Sequence, residues 1–199
     1  TGGPLVAEFE QAFAERVGAR FAVACANGTA GLHLAAMALG LGPDDASIVP
    51  TLTFLATANA ARYVGAEVVF ADVDAATGLM RQEDLQEAFA RAGSGKARAV
   101  IPVHLNGQCV DMESVAEFAG RHGLRVIEDA CHAIGATYRT RSGEEVRVGA
   151  CRHSDMAVFS LHPVKTIAMG EGGVVTTNDP DLHAALLRLR NHGMVREAS

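Results

Sequence analysis

Tryptophan is absent from this 199-residue chain, and tyrosine and lysine each occur only twice, the lysines at Lys96 and Lys165. No apolar run approaches the roughly 20 residues of a membrane-crossing helix, so no membrane partner is expected. Positive charge is also scarce: 17 Lys and Arg stand against 23 Asp and Glu, a net charge of −6, and no basic stripe appears. A surface that tracks nucleic-acid phosphates needs the opposite balance, so no nucleic-acid partner is expected. The four cysteines, Cys25, Cys109, Cys131 and Cys151, are widely spaced, without a C-x-x-C, and lie in or beside apolar stretches. They read as buried reduced thiols in a cytoplasmic protein rather than as a zinc site or a disulfide framework. The histidines form no H-x-x-x-H pair, and no metal is expected. The chain opens T-G-G-P, with neither an initiator methionine nor a signal-type segment, and reads as part of a longer protein.

What is present alternates. Leu5, Phe9, Phe13 and Val17 recur at helical spacing up to Gly18. The short apolar strand F-A-V-A-C (21–25) follows, and A-N-G-T then opens a second helix. Further strands are expected at 47–50, 66–71, 99–103 and 124–129, with helices at 55–64, 81–92 and 111–122. The charged stretch 139–147 reads as a solvated hairpin or loop. M-A-V-F-S and G-V-V-T-T flank a loop, and a last helix starts near Pro180. Short, wholly apolar strands between helices predict a three-layer α/β/α fold around a mostly parallel sheet.

In such sheets ligands bind outside the carboxyl ends of the strands. Asn27-Gly28-Thr29, Thr53-Phe54, His104, Asp129 with His132, and Ser160 with Lys165 all fall there if the strands are parallel. Asn27-Gly28-Thr29-Ala30 precedes a helix, where free amides form either a phosphate site or an ordinary N-cap. Asp129 ends an apolar strand and suits a buried carboxylate facing a cation, or a cap. Phe54 suits stacking on a planar ligand or plain packing, and Ser160 suits a phosphate or a turn. Lys165 stands out because fifteen of the seventeen basic residues are arginine. A lysine amine can form an imine with an aldehyde, whereas a guanidinium cannot. A phosphate-ready helix start, an aromatic, a strand-end aspartate and a lysine near a serine make up the inventory of a pyridoxal phosphate site.

The runs N-G-T-A-G-L-H-L-A, P-T-L-T-F-L-A-T-A-N-A, V-I-P-V-H-L-N-G-Q, I-E-D-A-C-H-A-I-G-A and F-S-L-H-P-V-K-T-I-A-M-G-E-G-G-V-V-T-T-N-D carry a resemblance. In that order they resemble the DegT-type nucleotide-sugar aminotransferases, whose large domain has the aspartate aminotransferase-like type I pyridoxal phosphate fold. D-A-C-H-A and S-L-H-P-V-K are most similar to the pseudaminic acid branch, which aminates a UDP-linked 4-keto-sugar at C4. The resemblance implies pyridoxal 5'-phosphate as cofactor, with Lys165 as its Schiff-base lysine and proton shuttle. It also implies Asp129 against the pyridine nitrogen and Gly28, Thr29, Ala30 and Ser160 around the phosphate. Phe54 and His132 would lie near the ring. Glutamate and 2-oxoglutarate are the implied amino donor and its product, and a homodimer the implied assembly. Residues 1–199 would be the cofactor-binding large domain, without the smaller C-terminal domain. A non-catalytic homologue acting through dimerisation is the alternative. A dinucleotide-binding oxidoreductase is disfavoured by the missing glycine fingerprint.

Overall fold

The computed structural model describes residues 3–93 and 95–194. Helix α1 (Pro4–Val17) starts on a proline whose fixed φ suits the first turn, and it stops where Gly18 turns left-handed at φ 84°. Strand β1 (Phe21–Cys25) leads to α2 (Gly28–Ala38), capped by the Asn27 side chain, which accepts from the Ala30 amide. Then come β2 (Ala46–Pro50), α3 (Ala56–Tyr63), β3 (Glu67–Ala71), α4 (Gln82–Ala92) and β4 (Ala97–Val100). After α5 (Met112–His122) and β5 (Arg125–Asp129) comes the hairpin β6 (Thr137–Arg139) and β7 (Glu145–Arg147). Strands β8 (Met156–Ser160) and β9 (Gly173–Thr177) and helix α6 (Pro180–Arg190) complete it.

Seven strands form one sheet in the order β1-β9-β8-β5-β4-β2-β3. Strands β8, β5, β4, β2 and β3 pair in parallel. Strand β9 runs antiparallel to both neighbours, so β1 points the same way as β8. The expected mostly parallel sheet is therefore present, with β9 as its one reversed strand. Pro102 cannot donate to a ladder, and β4 ends earlier than expected, at Val100; beyond it Val103 makes only an isolated parallel bridge to Asp129. The charged stretch is a true antiparallel hairpin that buries Val146 between Glu145 and Arg147.

Side chains alternate across each strand, and the two faces fill different layers. Val23, Val49, Ile127, Met156, Val158 and Val175 pack in one cluster with residues of α2, α3 and α6. On the other face Ile48, Val100 and Val126 meet α4 and α5, while Ala157, Phe159 and Val174 meet α1. Each fully buried aliphatic side chain contributes about 1.5–3 kcal/mol, so this double coverage holds the sheet, and with it the strand ends, in place. None of the described helices is long and apolar enough to cross a membrane.

Candidate active site

Because β1, β2, β5 and β8 share one direction, the segments after them gather at one edge of the sheet. There they wall a cleft of about 340 Å³, within the usual range for small-molecule sites. Gly28, Thr29, Phe54, Asp129, His132, Ser160 and Lys165 all line it. Ala30 does not: its amide is taken by the Asn27 cap, which leaves Gly28 and Thr29 to present first-turn amides that no carbonyl of the helix can satisfy.

The start of α2 is pressed against the end of β8. A Cβ at Gly28 would meet the Ser160 Cβ at 2.9 Å and the Cys131 Sγ at 3.0 Å. Gly173, paired with both Cys25 and Ser160, leaves room for the Asn27 backbone in the same way. Two glycines thus bring a helix N-terminus and a serine hydroxyl into one cradle, with the positive end of the helix dipole facing the cleft.

Asp129 is 5% exposed, and both its oxygens are engaged. Oδ1 accepts from the Cys131 amide at 3.2 Å and Oδ2 from the Thr57 hydroxyl at 2.6 Å. Its backbone is pinned from both sides, the amide donating to the Pro102 carbonyl and the carbonyl accepting from the His104 amide. Lys165 sits in the loop that returns from β8 to β9, its amide bonded to the His162 carbonyl at 2.9 Å. Lys96 approaches Glu67 at 4.0 Å, whereas no carboxylate comes that close to Lys165 among the described residues. Burial pushes the Cys131 thiol well above its ordinary range; the Asp129 charge adds to this and Lys165 opposes it. Burial also pushes the neighbouring Cys25 thiol up to about 11.

His132 accepts the Asn106 amide at Nδ1 (3.3 Å), so its proton resides on Nε2. Burial, then the Lys165 charge, lower its pKa from 6.5, against a smaller opposite pull from Asp129. The imidazole is therefore expected to stay neutral at pH 6.5, where an unfolded chain is half protonated. The unfolded state binds the extra proton, so this group's stability contribution is full above pH 6.5 and is lost as pH falls towards the folded pKa. NMR titration of the His132 ring would show the midpoint below that of a model peptide, and a midpoint at or above it would refute the geometry.

His104 does not join the cleft. Alternation along β5 sends Glu128 to the opposite face from Asp129, and His104 follows Glu128. Its Nε2 lies 3.0 Å from Glu128 Oε2 in full burial, and its Nδ1 accepts the Val110 amide. Glu128 also accepts from the Ser154 hydroxyl. This is a closed polar network inside the α5-side layer. Removing one partner of such a buried pair leaves an uncompensated group, which is costly.

The cleft also contains Thr53, as expected from its place after a strand, and three residues that sequence reasoning passed over: Cys131, His162 and Glu171. His162 Nε2 stands 3.8 Å from Glu171 Oε1 across the base of the Lys165 loop. Among the described residues no group of His, Cys, Asp and Glu is arranged to hold a metal.

The mostly parallel sheet, whose strand ends gather a helix start, a buried carboxylate and a lysine around one cleft, has the α/β fold of solved aminotransferases. Residues 1–199 match the profile of the DegT/DnrJ/EryC1/StrS aminotransferase family, and the chain belongs to that family. It is 44% identical over 192 residues to the GDP-perosamine synthase of Caulobacter vibrioides, covering 96% of this chain and 49% of that protein. The crystal structure of S. venezuelae DesV in complex with a ketimine intermediate superposes with a TM-score of 0.88 at 37% identity, covering 99% of this chain and 50% of that one. Helicobacter pylori PseC, an aminotransferase of pseudaminic acid biosynthesis, superposes with a TM-score of 0.86 but at 28% identity, covering 100% of this chain and 51% of that one. The chain thus spans about half the length of the relatives it matches.

The family's members depend on pyridoxal phosphate, and the residues present fit that group. Gly28, lacking a Cβ, lets the start of α2 approach Ser160 closely, Asp129 is a buried acceptor, and Lys165 is an amine with no carboxylate within 4.0 Å among the described residues.

Proposed function

We propose that residues 1–199 are the cofactor-binding large domain of a pyridoxal phosphate-dependent aminotransferase acting on a nucleotide-linked keto-sugar. The observation that carries this reading is that Lys165 and Asp129 line one cleft with the Gly28–Ser160 cradle. Pyridoxal phosphate, once bound, supplies an aldehyde that captures amines and a ring that withdraws electrons. The Gly28 and Thr29 amides and the Ser160 hydroxyl hold a phosphate, and the α2 dipole favours its charge. Asp129 offers an acceptor to a protonated ring nitrogen. Neutral His132 offers an Nε2–H donor, and Phe54, 63% exposed at the rim, offers an apolar face. Lys165 Nζ would be the amine that holds the aldehyde and the group that moves a proton within the cleft.

Glutamate is the proposed amino donor, with 2-oxoglutarate as its product. A homodimer is supported by the uncovered apolar rim: Phe54, Leu55 and Val164 are 63%, 62% and 77% exposed beside the cleft. All four cysteines are free, which suits the cytoplasm.

For the sugar we propose amination at C4 of a UDP-linked 4-keto-6-deoxy-N-acetyl-hexosamine, on the strength of the D-A-C-H-A and S-L-H-P-V-K runs. The higher identity to a GDP-perosamine synthase favours a GDP-linked sugar as the competing substrate. Supplying pyridoxal phosphate, glutamate and each 4-keto-sugar nucleotide separately tests both readings. Glutamate-dependent amino-sugar formation is expected from the UDP-linked sugar. Turnover of the GDP-linked sugar alone corrects the substrate, and turnover of neither, with no cofactor bound, overturns the function.

A further inference from the structure

Asp129 is steered by a hydroxyl that does not itself line the cleft. Thr57, in the first turn of α3, is fully buried, and its Oγ1 has three oxygens within reach. Asp129 Oδ2 lies at 2.6 Å, Thr53 Oγ1 at 2.7 Å and the Phe54 carbonyl at 3.1 Å. A hydroxyl has one proton to give, and an ionised carboxylate can only accept. The shortest contact is also the charge-assisted one, so Thr57 donates to Asp129. Thr57 must then accept from Thr53, which directs the Thr53 proton away from the Phe54 carbonyl 3.3 Å from it. The Phe54 carbonyl loses nothing, because the Thr57 amide already donates to it at 3.1 Å. Every member is satisfied in one direction only, from Thr53 on the cleft wall through Thr57 to Asp129. A threonine in a helix divides between two χ1 rotamers, and the three oxygens around the Thr57 hydroxyl select one of them.

We propose that Thr57 is a positioning residue, and that the Thr53–Thr57–Asp129 relay fixes the carboxylate plane for a cationic ring nitrogen in the cleft. With Oδ1 on the Cys131 amide and Oδ2 on Thr57, the carboxylate cannot rotate, and each oxygen keeps acceptor capacity for a ligand. The inference deepens the pyridoxal phosphate reading and rests on it for the identity of the ring. The relay itself is a property of the protein alone.

The test compares Thr57→Val, which keeps the shape and deletes the hydroxyl, with Thr57→Ser, which restores it. In cofactor-free protein the Asp129 carboxylate carbon resonance is expected to move in the valine variant and return in the serine variant. Equilibrium dialysis is expected to show about tenfold weaker pyridoxal phosphate binding for valine, the worth of one charge-assisted hydrogen bond, and near-parental binding for serine. A deaza analogue, with carbon in place of the ring nitrogen, is expected to bind the parent and the valine variant alike. Equal weakening of cofactor and analogue, or valine and serine variants that behave alike, overturns the proposal as a packing effect. If Thr57→Val does not fold, Thr53→Val removes only the outer member. A smaller loss confined to the nitrogen-bearing ring supports the relay, and no change refutes it. A parent that binds neither ring, while the resonance still shifts in Thr57→Val, overturns the functional reading and leaves the relay standing.

Discussion

Exchanging Lys165 for arginine is expected to eliminate covalent cofactor retention and to lower turnover by at least about 10³-fold. Arginine keeps the positive charge but is always protonated, so it neither captures an aldehyde nor carries a proton away. That makes it a sharper probe than alanine. The Lys165 charge is one of the causes that hold the His132 pKa down, and arginine preserves it. The His132 NMR titration is therefore expected to change little in Lys165→Arg while the chemistry disappears. Retention of the visible cofactor band after dialysis of the arginine variant would remove Lys165 from the mechanism. A large shift in the His132 midpoint would instead mean that the substitution rearranged the cleft.

The second large effect concerns folding, and no cofactor is needed to see it. A Cβ on Gly173 would lie 2.4 Å from both the carbonyl carbon and the carbonyl oxygen of Asn27, and 2.9 Å from the Cys25 Sγ. Backbone atoms in a capped helix start cannot give way as a flexible side chain can. Gly173→Ala is expected to cost about 2–3 kcal/mol, at the upper end of overpacking penalties, measured by urea unfolding of the cofactor-free protein. The strain falls on the turn that presents Gly28 and Thr29, so phosphate-bearing ligands should bind more weakly as well. An alanine variant as stable as the parent would show that β9 and the α2 cap are not in the contact described.

Periodicity located nearly every element, because most helices and strands here have an apolar face and an explicit stop. Gly18 and Gly123 end α1 and α5 in left-handed geometry, and Asn27, Asp111 and Asp179 cap α2, α5 and α6. Strand direction left no such mark. G-V-V-T-T is equally apolar whether it runs up or down, so the reversal of β9 became visible only in the pairing register. The same limit misplaced His104. A histidine after a strand can turn to either face, and its fully buried Glu128 partner lies on the face away from the cleft. Thr57 was hidden for a different reason: a threonine in the first turn of a helix looks like local capping, and nothing nearby in sequence reveals a carboxylate 72 positions away. The i, i+4 spacing of Thr53 and Thr57 was the one available hint. Strand-end placement read Asp129, Ser160 and Lys165 into one region because it needs only the order of the elements.

The reversal of β9 also has an engineering consequence. Residues 160 and 173 face each other in the ladder, and the Leu161 amide reaches the Gly172 carbonyl at 2.8 Å, so the lysine-bearing segment leaves and re-enters the sheet through adjoining doors. Such a segment is a cassette. Loops of other lengths grafted between these two posts are expected to keep the scaffold intact, so the position of Lys165 could be varied as a module.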